Sequence, residues 1–101
     1  MNYIIENHPR FCHVMMSGTF TFSDGALFRT LTKELEKVTP SSIVIDFAPV
    51  EFIDSSALGM ILLLREEQQK RGTDIVLKSA GGQVRKMFDL SNFNTLFTLE
   101  D

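Results

Sequence analysis

Two short runs constrain this fold more than any other feature of the chain. Ser42-Ile43-Val44-Ile45-Asp46-Phe47 and Asp74-Ile75-Val76-Leu77-Lys78 are apolar and β-branched, and too short for helices. The continuous character of the first suits a central strand covered on both faces. Between them, a helix is predicted from near Ser55 to Arg71, with Gly72 in the C′ role. A strand, a helix and a strand make a crossover, which joins parallel strands and is right-handed in nearly all folds.

The flanking segments extend this pattern. Tyr3 to Ile5 and Phe11 to Met16 read as strands around the turn Asn7-His8-Pro9-Arg10, the second ended by Ser17-Gly18. A helix is predicted to follow Phe20-Thr21-Phe22, with Ser23 as its N-cap and Asp24 in its first turn. Ala26, Leu27, Leu31, Leu35 and Val38 form its apolar face, Arg29, Lys33, Glu34, Glu36 and Lys37 its solvated face, and Pro40 its end. Pro49 breaks the strand that ends at Phe47. Gly81 and Gly82 open a third helix with Val84, Met87, Phe88 and Leu90 as its apolar face, and Asn94 to Leu99 is the last strand.

The predicted order is β-β-α-β-α-β-α-β, an α/β fold with a mixed, mostly parallel sheet. A chain of 101 residues is one domain, 1–101, and 44% hydrophobic residues can supply its core. No repeat, linker or low-complexity segment divides it.

Several functions fit poorly. The net charge is −3 and the basic residues are scattered, which argues against direct nucleic-acid binding. Lys70-Arg71 and Arg85-Lys86, the densest pairs, read as solvated helix ends. Cys12 is the single cysteine and lies in an apolar run, so a small buried thiol is expected. One Cys with His8 and His13 makes no metal cluster. Neither histidine has the context of a hydrolase triad, and no Gly-x-Ser-x-Gly elbow occurs. Gly81-Gly82 is not followed by Gly-Lys-Ser/Thr, so no phosphate loop is predicted. No cofactor and no catalytic activity are therefore expected. The longest apolar stretch, Met60 to Leu64, is far short of the roughly 20 residues of a membrane span. With no leader pattern at the start, a soluble, cytoplasmic protein is expected.

The most informative stretch is Phe52-Ile53-Asp54-Ser55-Ser56-Ala57-Leu58-Gly59, where the central strand's carboxyl end leads into the second helix. In open α/β sheets that edge commonly carries function. Asp, Ser and Ser before an apolar helix are adequate as caps, each cap bond contributing about 0.5–2 kcal/mol. A hydroxyl at a helix N-terminus is equally a favourable place for phosphate, because free N–H groups and the helix dipole favour an anion. The residues alone leave both readings open.

Asp54-Ser55-Ser56-Ala57-Leu58-Gly59 resembles the signature of bacterial STAS domains, the anti-sigma factor antagonists. Val44 to Phe47, Leu64-Arg65-Glu66, Val84 to Leu90, Phe93 and Phe97 are similar to the family as well, so the likeness covers nearly the whole chain. It implies that Ser55 is phosphorylated by a partner anti-sigma factor that is also a serine kinase. It implies further that the unphosphorylated form binds and sequesters that partner, and that a serine phosphatase reverses the modification. Asp54, Ser56, Ala57, Leu58 and Gly59 would complete the motif, and Phe22, Ser23 and Asp24 would belong to the partner surface. ATP and magnesium would belong to the kinase. The alternative within the resemblance is a STAS subunit of a transporter or another signalling complex, binding without a sigma factor.

Two departures stand out. Ala57 replaces the commoner Gly, which a helical first turn tolerates. Thr19-Phe20-Thr21-Phe22-Ser23-Asp24 replaces the family's usual acidic segment, which leaves the partner's identity open. In the second helix, Ala57, Leu58 and Met60 to Leu64 wrap around more than one face. Burial by neighbours and an exposed docking face both fit that pattern, and periodicity does not separate them.

Overall fold

A computed structural model describes residues 1–38 and 40–101. The order is β1 (Asn2–Asn7), β2 (Phe11–Phe20), α1 (Gly25–Glu36), β3 (Ser42–Asp46), β4 (Val50–Ile53), α2 (Ser55–Lys70), β5 (Asp74–Lys78), α3 (Gly82–Leu90) and β6 (Thr98–Glu100). Short 3₁₀ turns at Phe22–Asp24 and Phe93–Thr95 precede α1 and β6. The sheet runs β1-β2-β3-β5-β6, with β4 paired to β2. Only β1–β2 is antiparallel among the described pairs; the others are parallel. The α/β class and the mixed, mostly parallel sheet expected from the sequence are present, with one strand added.

That strand is β4. Pro49 does end β3's run, but the chain turns rather than entering a helix. Val50 N–H donates to the Phe47 carbonyl at 2.9 Å, and Ala48 N–H to Asp46 Oδ1 at 2.9 Å. The chain then re-pairs with β2 for four residues. This requires β2 to be longer than the sequence suggests. Ser17-Gly18 does not end it; Gly18 adopts φ +83°, the register shifts between Gly18 and Thr19, and the strand continues to Phe20. Glycine takes that backbone conformation without a Cβ penalty, so the strand bulges and goes on.

β3 is covered on one face, not two. Ile43 and Ile45 are buried while Ser42, Val44 and Asp46 are half-exposed. The cross-strand rows Cys12–Ile43–Ile75 and Val14–Ile45–Leu77 face the helices. They share one core with Leu31, Ile61, Leu64 and Phe88. The opposite face, with Ile4, His13, Met15, Val44 and Val76, stays open. Cys12 is buried as expected, and burial pushes its thiol pKa up, away from reactivity.

The aromatic core is continuous. Phe47 meets Phe88 edge-on, Phe88 stacks on Phe93, and Phe93 tilts against Phe97, with centroids 5.0–5.2 Å apart. Phe93 and Phe97 thereby fix the last segment. Its strand is only Thr98–Glu100, because Phe93–Thr95 turns to place these rings and cannot be the strand predicted from Asn94.

Two helix faces also differ from expectation. In α1 the buried residues are Phe28, Leu31 and Leu35, while Ala26 and Leu27 are exposed. Phe28 stacks on Phe20 at 5.2 Å, which rotates the buried stripe toward it. In α3, Val84 and Phe88 are buried but Leu90 is exposed. α1 ends at Glu36, ahead of Pro40, and Gly72 takes φ +72° just past α2 as its C′ role requires.

Candidate functional site

The site is built where β4 runs into α2. Asp54 is the N-cap of α2, with extended backbone, and its Oδ1 accepts from Ala57 N–H at 2.9 Å. Its Oδ2 accepts from Phe22 N–H at 3.0 Å, across 32 residues of sequence. One carboxylate thus satisfies an otherwise unpaired helix N–H and tethers the β2–α1 connection to the start of α2.

Ser55 and Ser56 occupy the first turn and differ in access. Ser55 is exposed and Ser56 is half-buried. Leu58 N–H reaches the Asp54 carbonyl at 3.4 Å, and Ala57 N–H is taken by the Asp54 side chain. An oxyanion on Ser55 would therefore stand at the positive end of a 16-residue helix, beside the Asp54 carboxylate. Ala57 and Leu58 are buried and anchor the turn to the core, while Gly59 is exposed with open space around it.

Phe22, Ser23 and Asp24 lie next to this turn, but not as the predicted helix start. Ser23 is not the N-cap of α1. Thr21 N–H donates to Asp24 Oδ2 at 2.8 Å, closing the 3₁₀ turn, and Asp24 itself precedes α1. The Ser23 hydroxyl pairs instead with the Thr21 hydroxyl at 3.0 Å. Burial works to raise the Asp24 pKa. The Thr21 N–H and the Met1 amine, 3.0 Å from Oδ1, outweigh it and hold the carboxyl below its usual range.

α1 and α2 enclose an open groove of about 690 Å³, floored by Phe28 and Leu64 and flanked by Phe22, Met60 and Leu63. Arg29 and Glu67 stand on its α1 and α2 walls. Phe22 is 76% exposed and Leu63 63%. The second helix is divided: Ala57, Leu58, Ile61 and Leu64 are core, and Leu63 faces solvent.

Two side chains take roles that were not anticipated, Gln83 at the site and Arg71 at the far end of α2. The Gln83 amide pairs both ways with the Ile53 backbone, accepting from its N–H at 3.0 Å and donating to its carbonyl at 2.9 Å. It closes the edge of β4 one residue before Asp54. Arg71, read as a solvated helix end, donates to the Leu35 carbonyl at 3.1 Å and to the Val38 carbonyl, capping the end of α1. Among the described residues no group of three or more His, Cys, Asp or Glu is placed to hold a metal ion, and no helix is long and apolar enough to cross a membrane.

Comparison with known proteins places these features in context. The family model described as STAS domain matches residues 2–101. A STAS-domain-containing protein of Pseudomonas aeruginosa is 35% identical over 86 residues, spanning 85% of this chain and 84% of that one. Among solved structures, a Thermotoga maritima protein described as a candidate anti-sigma factor antagonist superposes with a TM-score of 0.86 at 20% identity, covering 98% of this chain and 86% of its own. A sulfate transporter family protein of Wolinella succinogenes gives a TM-score of 0.74 at 18% identity, covering 88% and 75%. At these identities the two structures speak for the fold alone.

Proposed function

This chain belongs to the STAS domain family, and from that premise we propose that it is an anti-sigma factor antagonist whose binding is switched off by phosphorylation of Ser55. The unphosphorylated chain binds and sequesters an anti-sigma factor that is also a serine kinase, and a serine phosphatase restores the binding form. It acts in the cytoplasm, as a binding protein and not as an enzyme.

The observation that carries this reading is the exposed Ser55 hydroxyl, one residue past the Asp54 cap, whose carboxylate also holds the backbone of Phe22, a residue that lines the groove. Ser56 is less accessible, which favours Ser55 as the acceptor. A phosphoserine adds about −1.5 to −2 charges and three acceptor oxygens. At the helix start those oxygens meet N–H groups and the dipole, so the fold tolerates them. Pressed against an apolar partner surface, the same dianion must lose water without gaining a cation.

The test is incubation with the kinase encoded in the same genome and ATP, followed by peptide mass mapping. The expected result is one phosphate on Ser55, absent from Ser55→Ala and present on Ser56→Ala. Phosphate on the Ser55→Ala protein would refute the assignment. Capture of a transporter subunit in place of a kinase, with no phosphorylation, would favour the transporter context instead.

A further inference from the structure

Among the described residues, three strands of the sheet have one side unpaired by another strand, and they are treated differently. β4 is closed by the Gln83 amide. β6 is three residues long and ends at Glu100, with Asp101 following it. Shortness and charge are the ordinary protections of an edge. β1 has neither. It is six residues long, pairs only with β2, and contains no proline, no lysine and no register shift. Its middle residue on the open face, Ile4, is 64% exposed.

We propose that β1 is a homodimer interface, pairing antiparallel with β1 of a second copy about a two-fold axis at Ile4. The sequence of the strand selects that register. Residues directly opposite must lie on the same face, so the axis passes through a residue and not between two. With Ile4 opposite the partner's Ile4, Asn2 meets the partner's Glu6 and Tyr3 meets the partner's Ile5. Apolar residues face apolar residues, and the carboxylate faces an amide. An axis at Tyr3 sets Ile4 against the partner's Asn2, an axis at Ile5 sets it against the partner's Glu6, and an axis at Glu6 sets two carboxylates opposite each other, which is unfavourable. The Ile4 register also joins apolar surface already in place. Ile4 lies beside Met15 across β1–β2. The dimer therefore carries a continuous row of Met15, Ile4, the partner's Ile4 and the partner's Met15 over the open face. A two-fold interface must be complementary to itself, and this strand meets that condition in one register.

The test combines mass and cross-linking on the full chain. Light scattering across a concentration series up to the millimolar range is expected to rise from the 11.5 kDa chain mass toward twice that value. Ile4→Lys, which sets like charges opposite, is expected to hold the monomer mass throughout. Cysteine substitution reads the register. Opposed residues of antiparallel strands have Cα atoms about 4.5–5.5 Å apart, within disulfide reach. Ile4→Cys should therefore form a covalent dimer under mild oxidation, with the native Cys12 buried and silent. Glu6→Cys should not, since the partner's equivalent lies four residues along the strand, about 13 Å away. A constant monomer mass for the wild type, or equal cross-linking of Ile4→Cys and Glu6→Cys, overturns the proposal.

Discussion

The side-chain amide of Gln83, on the first turn of α3, pairs in both directions with the backbone of Ile53. It stands in for a neighbouring strand along β4. Ile53 is buried, and the next residue is the Asp54 cap, so this pair sets where α2 begins.

Removing the amide tests that role. Gln83→Leu leaves the Ile53 N–H and carbonyl without their partners, and an unsatisfied buried backbone group costs about 1–3 kcal/mol. Urea unfolding should show a lower midpoint with an unchanged slope. A midpoint equal to wild type would mean that water replaces the amide.

Asp54 performs two tasks with two oxygens, which different substitutions separate. Asp54→Ala loses the cap and the Phe22 tether and should cost about 1–2 kcal/mol. Asp54→Asn keeps one acceptor oxygen for Ala57 N–H and should cost less, while its amide nitrogen cannot accept from Phe22. Thermal unfolding of the two variants should rank them in that order.

Ser55→Asp should unfold near the wild-type temperature yet bind the kinase about a hundredfold more weakly, a change of about 2.7 kcal/mol. Dipole attraction and Asp54 repulsion oppose each other in the free chain, each at about 0.3–1 kcal/mol. Ser55→Ala should bind and resist release by ATP. Calorimetry and a melting curve on the same samples check both halves; a collapsed melting temperature would make Ser55 a structural cap first.

The groove predicts which apolar residues serve binding and which serve folding. Leu63→Glu and Phe22→Ser alter exposed side chains and should shift stability by less than about 0.5 kcal/mol, while weakening kinase binding at least about tenfold, near 1.4 kcal/mol. Leu64→Ala, one residue along the same helix, empties a buried position and should cost about 2–5 kcal/mol of stability. Paired unfolding and binding measurements on the three variants check the division.

Asp24 gives the chain an acid-sensitive contribution. Its folded pKa lies below the unfolded value, so its stabilisation is present above the unfolded pKa of about 3.9. It is lost as pH falls through the lower, folded value. Wild type should therefore lose stability over that window relative to Asp24→Asn, and the two urea midpoints should converge at the acid end. Parallel curves across the window would remove Asp24 as the cause.

Much of the fold can be read from residues close together in the chain. β-branched runs at Ile43–Ile45 and Ile75–Leu77 mark strands, the Asp54 cap and Gly72 bracket α2, and Gly81-Gly82 opens α3, because periodicity, capping and chain reversal act over a few residues. The Asp54-Ser55-Ser56 motif is legible for the same reason: it is a helix start, and a helix start is local. Long-range partners are not. β4 exists because β2 passes through Gly18 and offers Val50 to Ile53 a second pairing. Leu63 and Leu64 differ in exposure only because α1 and the sheet cover one side of α2. Gln68 is fully buried although its polarity predicts otherwise, and its amide has no partner among the described residues. Arg71 and Gln83 spend their hydrogen bonds on backbone groups 36 and 30 residues away. Side-chain type and spacing decide which elements form. Which face of each is covered, and which polar group finds a buried partner, depends on where distant segments arrive, and only the tertiary structure decides that.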